Sequence, residues 1–338
     1  MTPPQTVSPT THDRVVVESF LSDGEHRTLA DDVLDGLTRP FKELPPKHFY
    51  DEHGADLFDQ ICDLPEYYPT RCERAILEAR SAEIVERTGA AELVELGSGT
   101  AAKTRLLLAA MHEAGTLDRY VPIDVTEGMV RSSALQLVEE FDGLRVHGIV
   151  GDFERHLGRV PEPVDGRPRI VAFLGGTIGN FTPGSRRRFL RGLSQLLGPD
   201  DFLLLGTDLV KDPAVLEAAY DDSAGVTAQF NRNVLTVLNR ELDADFAVDA
   251  YEHVAFFDRD REWIEMRLRA LRPQRVTVGK LGLRLTFAAG EELRTEISAK
   301  FTPERISGDL AAAGMELVET LTDEDGLFAL TLARINAV

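Results

Sequence analysis

The chain has 338 residues, with 43% hydrophobic and 28% charged side chains and a formal net charge of −20. This composition is that of a soluble globular protein with room for two ordinary domains or one large one. The negative field argues against nucleic acid or an anionic membrane as partner, and no apolar run approaches the ~18 residues of a membrane helix.

In chain order, MTPPQTVSPTTHDR has neither a basic start nor an apolar stretch, so no secretory leader is expected. Residues 1–20 read as a flexible tail rich in Pro and Thr. Residues 27–68 lean toward helix, with a turn at Pro45-Pro46 and a capped turn at DEHGADLFD. Thr70 and Glu73 fit a capping box for a helix that stops at Gly89. Short apolar strands then alternate with helices: LVEL, KTRLLLAAMHEAG, RYVPIDV, EGMVRSSALQLVEEF, LRVHGIVGDF, RIVAFLGG, RRRFLRGLSQLL and DFLLLGTDLV. That rhythm predicts a mostly parallel, doubly wound α/β sheet covered on both faces.

After Lys211 the rhythm changes. DPAVLEAAYDDSAGVTAQFNRNVLTVLNREL reads as helical, and YEHVAFFDRD, EWIEMRLRAL, QRVTVG and LRLTF read as antiparallel strands. EELRTEISAKF and PERISGDLAAAG read as helices, and MELVETLTD and FALTLARI as two closing strands. The expected organisation is a doubly wound domain over 72–210 plus 301–338, interrupted by a smaller α+β domain over 21–71 plus 211–300.

The strongest local signal is VELGSGTAAKT, an apolar strand, a glycine turn and a helix. It lacks the spacing of a P-loop or a nucleophile elbow. Gly97, Gly99 and Ala102 approximate a dinucleotide turn. Asp124 ends the next strand, where a carboxylate can accept from ribose hydroxyls. Asp152 and Phe153 end the third, offering an adenine both a polar partner and an apolar face. Acids around the turn, Glu95 included, disfavour a pyrophosphate and favour a cofactor carrying a sulfonium and an amine, S-adenosylmethionine. A nicotinamide dehydrogenase and a non-catalytic cofactor-binding protein are the rival readings. The fourth strand ends in GGTIGN, whose glycines admit a substrate and whose Asn180 can both donate and accept.

Across nearly all of the chain from Leu44 onward, LPPKHFYDEHGADLFDQI, LPEYYPTR, VELGSGTAAKTR, FLGGTIGN, LLGTDLVKD, YDDSAGVTAQFNRNVL, EMRLRA and FAAGEELRTEISAKF resemble the bacterial histidine Nα-methyltransferases of ergothioneine biosynthesis. The resemblance implies a Rossmann-like class I methyltransferase domain with a substrate-recognition domain. It implies successive methyl transfer from S-adenosylmethionine to the α-amino group of L-histidine, giving hercynine and S-adenosylhomocysteine. By position, Tyr50, Gly97, Lys103, Asp124, Asp152 and Phe153 match cofactor contacts. Asn180 and Tyr220 match the pair that holds the amino acid's carboxylate and amine. Tyr67, Glu296 and Ser298 match imidazole contacts, Gly175 and Thr177 the wall near the amine, and Phe58 and Met266 apolar parts of the pocket. Gly176 stands where the family often has Ser.

A carboxylate against an imidazole N–H makes a charge-assisted hydrogen bond that separates histidine from apolar side chains. Glu296 and Ser298 can reach one ring only where the backbone is extended or irregular, so a break in the helical pattern is expected there. Tryptophan or tyrosine as acceptor is the alternative within the same fold. Deprotonation of the amine is expected to water or through contacts of Tyr67 or Asn180, the candidate catalytic residues, and Gly175, Gly176 and Gly179 are expected to leave room for the growing ammonium. Cys62 and Cys72 form no C-x-x-C pair, and His48, His53 and His253 have no ligand spacing, so no metal is expected. A cytoplasmic monomer is the expected form.

Overall fold

The computed structural model describes residues 14–21 and 28–336. The elements are, in chain order, β1 (Val15–Ser19), α1 (Leu29–Gly36), β2 (Lys42–Glu43), α2 (Glu52–Asp63), α3 (Pro69–Thr88), β3 (Glu92–Leu96), α4 (Thr104–Glu113), β4 (Arg119–Asp124), α5 (Glu127–Glu140), β5 (Arg145–Val150), α6 (Phe153–His156), β6 (Arg169–Phe173), α7 (Pro183–Leu196) and β7 (Phe202–Asp208). The chain continues through α8 (Pro213–Tyr220), α9 (Val226–Leu242), β8 (Tyr251–Asp258), β9 (Trp263–Ala270), β10 (Gln274–Val278), β11 (Leu283–Phe287), β12 (Glu292–Ala299), α10 (Pro303–Ala312), β13 (Met315–Thr322) and β14 (Phe328–Ile335).

The large sheet has the order β1-β5-β4-β3-β6-β7-β14-β13. It is parallel from β1 to β7, while β14 runs antiparallel to both β7 and β13. This is the doubly wound, Rossmann-like arrangement. The chain winds outward from β3 to β5, returns to β6 on the other side of β3, and winds on to β7. The loops after β3 and β6 therefore lie side by side at the switch point, where such sheets bind ligands.

Strands buried on both faces need no polar side, and β3 and β6 are buried at every position. Leu93 joins the apolar cluster under α3, α4 and α5, while Val94 joins the cluster under α7 and α10. Either side chain contributes about 1.5–3 kcal/mol through burial. Residues between Val33 and Tyr68 and between Leu216 and Leu293 supply a third cluster. It lies against the smaller sheet, order β2-β12-β9-β8, and the separate β10-β11 hairpin.

Several sequence expectations need correction. Val15–Ser19, placed in a flexible tail, is an edge strand paired in parallel with β5, as its β-branched VVV run allows. Residues 1–13 lie outside the described residues. Thr70 is no cap: Pro69 starts α3 at a position where its missing N–H costs nothing, and Thr70 Oγ1 turns to Cys62 Sγ at 3.4 Å. DEHGADLFD begins a full helix rather than a turn, with the Asp51 carboxylate accepting from Gly54 N at 2.8 Å. EELRTEISAKF forms β12, not a helix.

Candidate active site

The glycine turn after β3 is built by backbone conformation. Gly97 and Gly99 have φ of +73° and +51°, where a side chain is strained. Asp124, at the end of β4, fastens the turn: its Oδ2 accepts from Gly99 N and its Oδ1 from Thr126 N, both at 2.9 Å. Each oxygen keeps a lone pair for a hydroxyl. A Cβ on Gly97 would lie 3.6 Å from the Phe153 ring, so the absent side chain leaves the ring bare toward the turn. Asp152 caps α6 by accepting from Glu154 N at 2.9 Å. Glu95 does not face this turn. It is buried, bonded to Thr104 Oγ1 and Tyr120 Oη, and burial pushes its carboxyl up to about 7 against those bonds. Its work is inside the fold.

The loop after β6 joins two groups of side chains. At its start, Gly175 has φ +77° and its N–H donates to both Glu73 oxygens, at 2.8 and 3.0 Å. Glu73 is fully buried and also binds the Lys103 ammonium. A side chain on Gly175 would project toward Thr177 Oγ1 and Lys103 Nζ, 3.5 and 3.7 Å from its Cβ. At the loop's far end, a Cβ on Gly179 would lie 2.8 Å from Ala299 O and 3.4 Å from Ser298 Oγ. Gly179 thus lets the turn lie on β12, and a Cβ on Gly176 would lie 3.4 Å from the Phe328 ring. Of the three glycines expected to leave room for methyl groups, these two are instead packed against protein. Asn180 follows Gly179 on the same turn and is half-buried.

The second group surrounds β12. A bulge between Arg294 and Glu296 offsets the register, after which Glu296 pairs with Met266 and Ser298 with Ile264. Glu296 and Ser298 are two apart on a strand and therefore share a face. Extended backbone is what lets both address one ligand. Phe58 stands 6.2 Å from Tyr67, Tyr67 6.3 Å from Tyr220, and Tyr50 5.4 Å from Phe58, ring centre to ring centre. Tyr220 Oη and Ser298 Oγ are 2.8 Å apart. Burial pushes the Tyr67 hydroxyl well above its ordinary range, with Tyr220, Cys62, Tyr50 and Glu296 adding to the effect, so it stays protonated. Burial pushes Glu296 up to about 7, and Lys300 pulls it back. Although Glu296 is only half-buried by surface area, protein surrounds its carboxylate, and this surround governs its charge.

Tyr50 stands with this second group rather than beside Asp124 and Phe153. Its ring packs on Phe58 and on Phe230, 5.6 Å away, while about half of the residue stays exposed. Met266 is buried opposite Glu296.

The residues that support these groups lie outside the expected site. Tyr68 Oη reaches Asp208 at 2.9 Å, and Asp208 lies between Lys211 at 2.5 Å and Lys300 at 2.8 Å. Burial raises the Asp208 carboxyl, but the two lysines more than offset this and hold it below its ordinary value. Asn231 on α9 accepts from Thr295 Oγ1 in the bulge at 2.6 Å and reaches His253 Nδ1 at 2.8 Å; His253 Nε2 meets the Tyr220 carbonyl, also at 2.8 Å. Asp208 had a legible signal, an acid ending an apolar strand as Asp124 does. Glu73, Asn231 and His253 had none, because their partners are distant in sequence, and the carboxylate partner of Lys300, Asp208, is equally distant.

Two groups of side chains thus meet at one loop, one around the glycine turn and one aromatic with a carboxylate. Residues 29–335 match the family model described as histidine-specific methyltransferase, SAM-dependent. The chain belongs to this family. It is 55% identical to the histidine N-alpha-methyltransferase of Mycolicibacterium smegmatis over 92% of this chain and 96% of that one. It is 53% identical to the protein of the same name from Mycobacterium tuberculosis, over 95% and 99%. It is 30% identical to ergothioneine biosynthesis protein 1 of Neurospora crassa, over 87% of this chain and 34% of that one. The methyltransferase has no helix long and apolar enough to cross a membrane among its described residues, and no cluster of three potential metal ligands among them.

Proposed function

We propose that this enzyme transfers methyl groups from S-adenosylmethionine successively to the α-amino group of L-histidine, ending at the trimethylated product, hercynine. The observation that carries this reading is the Glu296 carboxylate beside Ser298 on one strand face, within the aromatic group of Phe58, Tyr67 and Tyr220. A buried carboxylate is costly unless a partner arrives. An imidazole N–H supplies that partner, and an indole or phenol ring supplies it less well in shape and charge.

Asp124, Asp152, Phe153 and the turn at Gly97 would hold the adenosyl group, and Lys103 its carboxylate. S-adenosylmethionine, when bound, supplies a methyl group activated on sulfur. The protein's share is orientation. Asn180 and Tyr220 hold the amino acid's backbone groups, and Tyr67, whose hydroxyl stays protonated, orients the amine through a hydrogen bond rather than removing its proton as a phenolate. Each attack requires a neutral amine, so a proton leaves before every transfer, and water is its acceptor. The bare face of Gly175 gives the enlarging ammonium its space.

A competition assay tests the acceptor. The enzyme, S-adenosylmethionine and an equimolar mixture of the twenty amino acids are combined, and products are resolved by mass. Methylated histidine alone is expected. Methylated tryptophan or tyrosine in its place would overturn the reading.

A further inference from the structure

Lys300 is completely buried, yet it has no part in the proposed binding of substrate or cofactor. It follows directly on β12, at the point where Phe301 N donates to Asp208 O at 2.8 Å and the strand's exit joins that of β7. Its ammonium has three partners: Asp208 Oδ2 at 2.8 Å, Ser298 Oγ at 2.9 Å and Tyr220 Oη at 3.0 Å. An ammonium carries three donors and no acceptor, so all three protons are spent here. Tyr220 and Ser298 must both accept from Lys300. Their mutual contact at 2.8 Å consumes one of their two hydroxyl protons. One hydroxyl proton remains, and it is the only one the pair can give to a ligand.

The charge pattern acts in the same direction. Lys211 and Lys300 both bind the single carboxylate of Asp208, so Tyr220 faces a cation whose counter-charge is shared with a second lysine. The ammonium also lies 4.6 Å from the centre of the Tyr220 ring. A hydroxyl that accepts from a buried cation becomes a stronger donor in turn.

We propose that Lys300 is a positioning residue: it fixes and polarises the Tyr220–Ser298 hydroxyl pair so that the pair's one remaining proton is donated to the bound amino acid. This rests on the reading of L-histidine as acceptor. Lys300 is not placed against the reacting atoms; its contacts lead to the pair, and because its charge also lowers the Glu296 carboxyl, which lies at about 7, the kinetics are run at pH 9, where that carboxyl is ionised.

The test is a thermodynamic cycle on steady-state kinetics at saturating S-adenosylmethionine. The variants are K300M, Y220F/S298A and the triple variant, with cofactor affinity measured separately by calorimetry. K300M leaves the Asp208 carboxylate paired with Lys211 and Tyr68. The expected result is a roughly 10- to 100-fold rise in KM for L-histidine in K300M, a smaller change in kcat and unchanged cofactor affinity. The triple variant is expected to be no worse than Y220F/S298A, because a residue that acts only through a pair has nothing left to act on. K300Q, which keeps a donor but loses the charge, should fall between wild type and K300M, and it replaces K300M in the cycle should the latter not fold. Multiplicative losses in the triple variant would overturn the role of Lys300 while leaving the histidine reading intact. An unchanged KM in Y220F/S298A would overturn both.

Discussion

Replacing Glu296 by Gln separates what this carboxylate costs the fold from what it gives the substrate. In the free enzyme its carboxyl is pushed by burial from 4.5 up to about 7. At 1.36 kcal/mol per pH unit, that shift corresponds to about 3 kcal/mol of destabilisation once the group is ionised. The sign follows from proton binding. The folded state holds this proton at pH values where the unfolded chain has released it, so the stability it lends is complete below pH 4.5 and is lost as pH rises through about 7. E296Q does not titrate. Its melting temperature is therefore expected to match wild type near pH 4.5 and to exceed it above pH 7 by an amount equivalent to about 3 kcal/mol. KM for L-histidine should meanwhile rise roughly 10- to 100-fold, the value of a charge-assisted hydrogen bond. Thermal melts of the free enzyme across this range, with kinetics at pH 8, test both halves. A melting difference that does not vary with pH, or a variant less stable at pH 8, would refute the reasoning.

Glu73→Ala strips the Gly175 amide and Lys103 of their shared partner and should cost about 3 kcal/mol of stability together with cofactor affinity; thermal melts and calorimetry measure both, and unchanged cofactor affinity would remove Glu73 from the site. Gly179→Ala places a methyl 2.8 Å from Ala299 O, so β12 must shift and carry Ser298 with it. KM for histidine should rise while cofactor affinity holds, and equal loss of both would contradict the separation of the two groups. Gly175→Leu should stall the reaction before the third methyl group, because this glycine, unlike Gly176 and Gly179, faces Thr177 and Lys103 rather than packed protein. Full trimethylation by that variant would refute the assignment of space.

The parallel sheet was legible because its strands are short apolar runs, buried on both faces and separated by amphipathic helices. The glycine turn, Asp124 and Asp152 were legible for the same topological reason: each ends a strand at the ligand-binding rim. β12 was not, for two reasons. Its Glu, Leu, Arg and Ala residues are good helix formers, and the bulge at Thr295 interrupts the alternation that marks a strand. Once it is a strand, Glu296 and Ser298 share a face without further assumption. The N-terminal strand was obscured by the Pro- and Thr-rich run before it. The buried lattice of Glu73, Asp208, Asn231, His253 and Lys300 depends, apart from the local Asp208–Lys211 and Lys300–Ser298 contacts, on partners tens to more than a hundred residues apart in sequence, and no local spacing records such pairs.

The most direct test of the central claim follows the reaction with L-histidine and S-adenosylmethionine over time, reading product masses. Histidine carrying one, then two, then three methyl groups, with the trimethylated form as the sole end product, is what the account predicts. No methylated histidine from an enzyme that binds the cofactor, or a reaction that ends at one methyl group, would contradict it.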